Sequence, residues 1–171
     1  MGWVFVSLGS NIGDRLEFLQ KAVDALGNAS GFKVIAASPV YETEPVGKKD
    51  QPRFLNAAVE LESLLSPDSI LVNLKQIERA VGRTPSQKWG PREIDLDLIY
   101  VGNLVVKSPM LTLPHPEVAV RRFVLTPLAE IAPDFVDPLR KRTLRDLLSS
   151  CPDQCEVVQT SSTIQLTALE S

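Results

Sequence analysis

The sequence predicts an α+β fold: an antiparallel sheet with helices packed on one face and long loops, suited to hold a substrate, on the other. Segments of alternating apolar and polar residues, typical of strands, are interspersed with two segments of helical period. Their order is strand, helix, strand, strand, helix, strand. A chain of 171 residues fits one domain of this kind.

The first part of the chain predicts a strand and an amphipathic helix. Residues 3–8 form the strand, which Gly9-Ser10-Asn11 ends, and Asp14 is the expected N-cap of the helix. Four apolar residues repeat at helical spacing along this helix: Leu16, Leu19, Val23 and Leu26. A second strand is expected at 32–38 and a polar loop at 43–52. Loops of this length are often functional.

The middle of the chain repeats the strand–helix pattern. Residues 54–61 alternate between two faces, as a strand does. A helix then begins with Ser66 as N-cap and Pro67 at its first position, and Gly82 ends it. The expected buried stripe of this helix is Ile70, Leu71, Leu74, Ile77 and Val81. A second loop follows at 83–92.

The last part of the chain predicts shorter elements. Residues 94–101 form an alternating strand, which Gly102-Asn103 is expected to turn back into 104–106. The remaining predictions are a proline-punctuated loop at 107–122, short helices at 125–131 and 144–149, and an edge strand around Val157 and Ile164. Together the elements indicate the ferredoxin-like plan, with two helices on one sheet face and the two loops at the other.

Composition and charge exclude several classes of protein. Eighteen Lys and Arg against twenty-one Asp and Glu give a net charge of −3, so bulk electrostatic binding to nucleic acid is not expected. No apolar run approaches the length of a membrane span, and the N-terminus lacks the basic region of a signal peptide. Cys151 and Cys155 are expected to be plain thiols in a reducing compartment, and we expect the chain to be cytoplasmic.

Two aspartates stand two residues apart on the strand at 94–101. Side chains at this spacing point the same way, so Asp95 and Asp97 project from one face with Cα atoms about 6.5–7 Å apart. Two carboxylates on one rigid strand can bind a hard cation such as Mg²⁺. The plain alternative is a solvated sheet face.

Five basic residues precede this pair in a chain that is acidic overall: Lys75, Arg79, Arg83, Lys88 and Arg92. Lys75 and Arg79 are one helical turn apart and alternatively belong to a solvated helix face. Arg83, Lys88 and Arg92 bracket the loop that leads into the aspartates. Cations beside metal ligands are the ingredients of a polyphosphate site, although no Walker or dinucleotide glycine motif is present.

Aromatic and amide side chains form a second candidate group. Phe54 and Asn56 share a strand face, where they would stack on a flat heterocycle and bind its edge; the alternative is a core Phe beside a turn-capping Asn. Phe123 and Trp89 are further stacking walls or core residues. The single histidine, His115, stands between two prolines and is either a phosphate ligand or a structural residue.

The run from Lys88 to Ile99 resembles the signature segment of the 6-hydroxymethyl-7,8-dihydropterin pyrophosphokinase family of folate synthesis. Further segments resemble that family in the same order over about residues 3–150. They are Leu8-Gly9-Ser10-Asn11, Tyr41-Glu42-Thr43-Glu44-Pro45, Gln51-Pro52-x-Phe54-Leu55-Asn56-Ala57-Ala58-Val59, Ile77-Glu78-x-x-x-Gly82-Arg83, Leu113-Pro114-His115-Pro116, Arg121-x-Phe123-Val124-Leu125-x-Pro127-Leu128 and Glu130-Ile131-Ala132-Pro133. We expect 1–150 to form a single pyrophosphokinase domain and 151–171 a tail outside the resemblance.

The resemblance implies a transferase, an ATP-dependent kinase that passes pyrophosphate from ATP to the hydroxymethyl group of the pterin and releases AMP. The implied catalytic residues are Arg83, Arg92 and Asp97, and Asp95 and Asp97 would bind two Mg²⁺ ions. The implied ATP ligands are Glu78, Lys88, Trp89, Arg92, His115 and Arg121. The implied pterin ligands are Thr43, Pro45, Val46, Phe54, Asn56, Trp89, Asp95 and Phe123. The substrates are small molecules, and we expect a monomer.

Two departures from the family pattern and two rival functions are left open. Thr84-Pro85-Ser86 stand where the family often has another Arg, and Phe54 stands where it often has Tyr. One rival is a noncatalytic ligand-binding module that regulates a partner, against which the aspartates beside Arg83 and Arg92 argue. The other is a nucleotidyl- or glycosyl-transferase, against which the aromatic residues favour a flat heterocyclic acceptor.

Overall fold

The computed structural model describes residues 2–45, 50–85 and 90–166 of the chain. The strands are β1 (Gly2–Ser10), β2 (Lys33–Ala37), β3 (Pro39–Thr43), β4 (Phe54–Ser63), β5 (Asp95–Val101), β6 (Val106–Lys107), β7 (Thr112–Leu113) and β8 (Val157–Thr163). The α-helices are α1 (Arg15–Asn28), α2 (Pro67–Val81), α3 (Arg122–Ile131) and α4 (Leu144–Ser149), and a 3₁₀ turn spans Val118–Val120.

Six of the strands form one antiparallel sheet. The order across it is β5-β1-β4-β3-β8, and β2 pairs with the far end of β4. The predicted α+β class with an antiparallel sheet is therefore confirmed, and so is the C-terminal edge strand, which is β8. None of the helices in the described residues is long and apolar enough to cross a membrane.

The sheet has a packed layer on each face. On one face α1 and α2 cover the main core, which includes Val6, Leu8, Val59 and Leu96 of the central strands. On the other face α3 and α4 pack over Phe5, Ala58 and Tyr100 in a second core. The helices at 125–131 and 144–149 were expected, but their place on the second face was not. The prediction that this face is left to the two loops is therefore wrong, because α3 and α4 also cover it.

The predicted N-caps of α1 and α2 and the glycine after α2 are confirmed, whereas α3 begins at Arg122, three residues before the expected position 125. Asp14 accepts a hydrogen bond from the Glu17 backbone N–H at 3.1 Å and caps α1. Ser66 accepts one from the Ser69 N–H at 3.3 Å and caps α2, and Gly82 follows α2 with φ of 130°. That φ favours glycine, because a side chain there would strain the backbone.

The second predicted strand, 32–38, is two strands with a break at Ser38. Ser38 N–H donates to the Ala58 carbonyl, and the Ser38 hydroxyl accepts from the Ala58 N–H, so a side chain replaces one ladder bond of the backbone. Pro39 follows at once and has no N–H to donate. The chain changes direction there, and the sequence pattern missed β3.

The expected hairpin at Gly102-Asn103 is wrong. Residues 104–106 do not return along β5; instead β6 pairs with β7 as a separate two-stranded sheet. Gly102 does form a turn, with φ of 51°, but its N–H donates back to the Trp3 carbonyl of β1 at 2.6 Å. The turn therefore continues the main sheet and does not start a new strand of it. Cys151 and Cys155 are free thiols, as expected.

Candidate active site

The register of three central strands places the candidate residues beside one another. Gly9 on β1 pairs with Asn56 on β4 and with Asp95 on β5. Two residues back, Ser7 pairs with Asp97. Because directly opposed residues in antiparallel strands lie about 4.5–5.5 Å apart, the amide and the two carboxylates meet at one end of the sheet.

This end of the sheet forms the floor of a cavity of about 260 Å³. Its lining combines polar side chains, two aromatic rings and glycine backbone: Ser7, Gly9, Thr43, Glu44, Phe54, Asn56, Gly90, Arg92, Asp95, Asp97, His115, Arg121 and Phe123. A second cavity of similar volume adjoins it and shares Asp97 and His115. The second lining mixes polar side chains with the apolar side chains of Leu71, Leu98 and Leu111.

We call Arg83, Arg92, Asp95, Asp97, His115 and Arg121 the charged half of the site. Within it, two guanidinium groups hold one carboxylate. The Arg83 guanidinium lies 2.9 Å from Asp95 Oδ1, and that of Arg92 lies 3.4 Å from the same oxygen. All three side chains are about three-quarters buried, so these ion pairs are weakly screened.

A buried carboxylate stands behind this group. Glu78 on α2 is 1% exposed and pairs with Lys75 at 3.0 Å and with Arg83. It also accepts a hydrogen bond from the Leu96 N–H at 3.4 Å. A buried charge is tolerated only when it is paired and hydrogen-bonded, which is the case here. Glu78 therefore fixes α2, Arg83 and β5 to one another.

Asp97 lies beside this network in a different electrostatic state. Burial, and then the like charge of Asp95, raise the pKa of Asp97 to about 7, although Lys75 and Arg121 act in the opposite direction. An aspartate that resists ionisation is one that gains from a cation. In the described part of the chain no group of three or more His, Cys, Asp or Glu side chains could hold a metal. A metal at Asp95 and Asp97 would thus need other oxygens, and a phosphate chain supplies them.

His115 is held as a neutral imidazole. Burial, and then the charge of Arg121, lower the pKa of His115 to about 4. The Glu117 N–H donates to His115 Nδ1 at 3.1 Å. In a neutral ring this leaves the proton on Nε2, so His115 is a hydrogen-bond donor and carries no charge.

We call Thr43, Phe54, Asn56 and Phe123 the neutral half of the site. Asn56 is 3% exposed, and its amide donates to Thr43 Oγ1, itself 1% exposed, at 2.5 Å. Gly9 makes room for this amide, because a Cβ at Gly9 would lie 2.9 Å from Asn56 Oδ1. Phe54 begins β4 and Phe123 is the second residue of α3, so the two rings come from different layers.

Asn11 joins the loops that border the two halves. It is 1% exposed, and its Oδ1 accepts from the Arg92 N–H at 2.8 Å. Its amide donates to Gln51 Oε1 at 2.9 Å and to the Pro52 carbonyl at 3.0 Å. One buried side chain therefore fixes the end of the loop 83–92 and the end of the loop 43–52.

Comparison with known proteins decides the family. The family model of 7,8-dihydro-6-hydroxymethylpterin-pyrophosphokinase (HPPK) matches residues 5–133. The chain is 41% identical over 149 residues to the 2-amino-4-hydroxy-6-hydroxymethyldihydropteridine pyrophosphokinase of Pseudomonas aeruginosa, covering 87% of this chain and 91% of that protein. The chain belongs to the HPPK family.

Other HPPK relatives are larger proteins. The folic acid synthesis protein fol1 of Schizosaccharomyces pombe is 41% identical over 150 residues, which are 88% of this chain but 20% of that protein. A crystal structure of Plasmodium falciparum HPPK-DHPS superposes with a TM-score of 0.71 at 16% identity, covering 86% of this chain and 45% of that one. The chain thus spans a fifth to under half of these two relatives, and the second likeness establishes the fold.

The structure brings most of the predicted HPPK site residues to the cavity. Nine of them line it: Thr43, Phe54, Asn56, Arg92, Asp95, Asp97, His115, Arg121 and Phe123. Arg83 does not line the cavity but forms an ion pair with Asp95, which does. Pro45 is buried but is not among the lining residues. Glu78, predicted to contact ATP, lies behind Arg83 and does not line either cavity. Val46, Lys88 and Trp89 lie outside the described residues.

Sequence reasoning did not single out four further residues at or beside the cavity. Gly9, Asn11 and Glu44 were only parts of motifs, and Ser7 was only part of a strand. A glycine inside a strand is a signal of close backbone approach, so Gly9 was detectable. Asn11 gave no such signal, since its partners are 40 and 81 residues away.

Proposed function

We propose that this chain catalyses the reaction of its HPPK relatives, the transfer of pyrophosphate from ATP to 6-hydroxymethyl-7,8-dihydropterin. The observation that carries the proposal is that residues of the neutral, aromatic half and of the charged half line the same cavity. The first suits a flat heterocycle with hydrogen-bonding edges, and the second suits a polyphosphate. We further propose that the chain acts as a monomer in the cytoplasm.

The pterin lies in the neutral half. Phe54 and Phe123 stack on its two faces, and Asn56 binds its edge while Thr43 keeps the amide oriented. This leaves the hydroxymethyl group pointing toward Asp95 and Asp97. Both aspartates lie on β5, which is separated from β4 by β1. Pro45 and Val46 complete this wall in the proposal, and Glu44 adds a carboxylate to it.

ATP spans the charged half and the second cavity. The apolar side chains of Leu71, Leu98 and Leu111 in the lining of that cavity suit the base of the nucleotide. His115 stands where the two cavities meet and donates from Nε2 to a phosphate oxygen. Arg121, which lies with its guanidinium carbon 5.7 Å from the Phe123 ring centroid, is positioned between nucleotide and pterin.

The residues fit Mg²⁺, because two carboxylates on one strand face, completed by phosphate oxygens and water, are the donor set this ion prefers. When bound, two such ions would neutralise the triphosphate and align it for displacement. Asp95 and Asp97 would hold them. Arg83 and Arg92 neutralise charge that grows on the transferred group, and Lys88 and Trp89 are proposed to join them from the loop 83–92.

The reaction needs no nucleophile from the protein. The hydroxymethyl oxygen forms a bond to the β-phosphorus, and the bond from that phosphorus to the α–β bridging oxygen breaks. AMP leaves with the bridging oxygen, and the hydroxyl proton is released. The protein positions the two substrates and excludes water, which is how most phosphoryl-transfer catalysis is achieved.

Product analysis tests the proposal. Purified protein is incubated with ATP, Mg²⁺ and 6-hydroxymethyl-7,8-dihydropterin, and phosphorus NMR distinguishes AMP plus a pterin diphosphate from ADP plus a monophosphate. We expect AMP only when the pterin and Mg²⁺ are both present. We also expect the Glu78→Gln variant to form the same products as wild type. ADP as product, or AMP formation that ignores the pterin, would contradict the proposal.

A further inference from the structure

The C-terminal tail lies beyond residues 5–133, which the HPPK family model matches, yet it reaches the site. After α4 the chain passes the start of α3 and then runs antiparallel to β3 as β8. We call residues 153–158 the brace. At one end it contacts Arg122, the residue before Phe123, and at the other end it contacts Arg53, the residue before Phe54.

At its first end the brace caps α3. Arg121 occupies the N-cap position of that helix and makes no side-chain capping hydrogen bond. Asp153 takes this role from the tail: its Oδ2 accepts from the Arg122 N–H at 3.0 Å, and its carbonyl accepts from Arg122 Nε at 2.9 Å. A carboxylate at a helix N-terminus is also favoured by the helix dipole. Phe123 is the next residue of the helix.

Asp153 is itself held in place. Its Oδ1 accepts from the Cys155 N–H at 2.9 Å, which closes the turn before β8. Partial burial acts to raise the pKa of Asp153, but the hydrogen bonds from Cys155 and Arg122 lower it below its ordinary value. The cap is therefore charged at neutral pH and linked to the turn that leads into the second contact.

At its second end the brace fixes β3 and the residue before Phe54. The Glu156 N–H donates to Glu44 Oε1 at 2.9 Å, and its carboxylate lies 3.8 Å from the Arg53 guanidinium. Val157 then pairs with Thr43, and Thr43 pairs with Phe54 on β4. Glu156 thus contacts both ends of the loop 43–52.

Asp153 and Glu156, which make the two contacts of the brace, are only three positions apart in the chain, so they lie at most about 11 Å from each other. A stacked sandwich binds its ligand well only when both rings are in contact with it, and so its gap is a specificity-determining dimension. We propose that Asp153 and Glu156 are positioning residues that set the gap between the Phe54 and Phe123 walls for the pterin acceptor. This inference rests on the proposed function.

The first test compares Asp153→Ala, Asp153→Asn and Asp14→Ala. Asp14 is also an aspartate that accepts a backbone hydrogen bond at a helix start, but α1 carries none of the predicted ligands. Calorimetry gives the Kd of the pterin in the presence of a nonhydrolysable ATP analogue and, separately, the Kd of the analogue. We expect Asp153→Ala to weaken pterin binding about threefold to tenfold, as loss of a cap allows, with the analogue affected less than about twofold.

The conservative variant and the control separate positioning from stability. Asn keeps one oxygen that can accept from the Arg122 N–H but turns its NH₂ group toward the Cys155 N–H, so Asp153→Asn should weaken pterin binding less than Asp153→Ala does. Asp14→Ala should lower the melting temperature by a similar amount and leave the pterin Kd unchanged. Equal pterin affinities in Asp153→Ala and Asp14→Ala, or equal losses for pterin and analogue, would overturn the inference alone. Wild-type protein that binds no pterin would overturn the proposed function as well.

A charge swap tests the second end without removing the cap. Glu156→Lys places like charges together at Arg53, and both side chains are about half exposed, so the fold should survive. We expect the pterin Kd to rise about twofold to threefold, in line with the small energies of exposed pairs. Adding Arg53→Glu should restore it. A pterin Kd that neither rises in Glu156→Lys nor recovers in the double variant would overturn the role of Glu156.

Discussion

The neutral and charged halves of the cavity are built in opposite ways. In the neutral half, the Asn56 amide donates to Thr43 Oγ1 at 2.5 Å, and Gly9 leaves the space that this contact needs. In the charged half, Asp95 shares one oxygen between Arg83 and Arg92, and Asp97 has a raised pKa beside it. A neutral hydrogen bond thus holds one half of the site, and closely spaced charges of both signs make up the other.

This difference predicts which half of the site rearranges its interactions when a ligand binds. A preformed neutral pocket binds by stacking and hydrogen bonds and changes little in charge when filled. A cluster of acidic and basic groups in a partly buried site rearranges its ion pairs when a cation or a polyphosphate enters, because its interactions are weakly screened. Substitutions should therefore affect affinity in the neutral half and turnover in the charged half.

The largest expected effect is that of Asp97→Asn. We expect turnover to fall at least about 100-fold, since the substitution removes a carboxylate that we propose to bind Mg²⁺. The metal-free protein should nevertheless become more stable at pH 8. The pKa of Asp97 is raised to about 7 in the fold, so its ionised form is destabilised above that pH, and neutral Asn removes this cost. Steady-state kinetics and thermal unfolding measure the two quantities.

Asp134→Asn is the matched control for this substitution. Asp134 is an exposed aspartate that pairs with Arg145 and lies away from the cavity. It should change neither turnover nor the dependence of stability on pH. Wild-type turnover in Asp97→Asn, or a lower melting temperature at pH 8, would remove the contrast between the two halves.

Phe54→Ala should have the next largest effect. Loss of one stacking surface typically weakens binding of a flat base by about 1–3 kcal/mol, which is about a fivefold to 150-fold rise in the pterin Kd. ATP affinity should change less than about twofold, since Phe54 lies in the neutral half. Phe54→Tyr keeps the ring and should bind as wild type does. Calorimetry that finds the pterin Kd of Phe54→Ala unchanged would contradict the sandwich.

Much of the fold was predictable because local patterns and local caps determine it. Helix α2 matches its prediction from Ser66 to Gly82, since N-cap, Pro and C-terminal glycine each act within a few residues. Strand β3 was missed because its partner β4 lies across a loop and the Ser38–Ala58 exchange is a side-chain event. The hairpin after Gly102 was mispredicted because its turn bonds to β1, about a hundred residues back in the chain.

The candidate site also divides into features that local sequence predicts and features that depend on distant partners. Asp95 and Asp97 could be paired from their spacing alone, because alternation on a strand is strict. The burial of Glu78 behind Arg83 could not, since a glutamate on a helix that carries several charges gives no sign of which face it occupies. Asp153 gave no signal either, because it caps a helix that begins 31 residues earlier.

Asn11→Asp tests the link between the two halves. The new carboxylate still accepts from the Arg92 N–H, but it loses the donors to Gln51 and Pro52 and faces their oxygens. We expect the free energy of unfolding to fall by about 1–3 kcal/mol, as for other buried hydrogen bonds left unmade. Because Asn11 joins both loops, the KM values of both substrates should rise together by about threefold. Urea denaturation and kinetics measure this, and a change confined to one substrate would mean that the halves are not linked through Asn11.

The smallest expected effect is that of pH on the His115 contact. Burial and then Arg121 lower the pKa of His115 to about 4, so the imidazole is neutral from pH 6 to 8, and the contact that we propose with ATP is then a hydrogen bond from an uncharged ring. The KM for ATP should then have the same pH profile, within about twofold, in wild type and in His115→Gln, whose amide N–H takes the place of Nε2. The comparison also cancels the titration of ATP itself. Below pH 6.5 the unfolded chain protonates its histidine first, so folding stability falls as pH drops toward 4 in wild type and less so in the Gln variant. A wild-type KM that improves below pH 6.5 while that of His115→Gln does not would show that a charged imidazolium binds the phosphate, and would contradict this prediction.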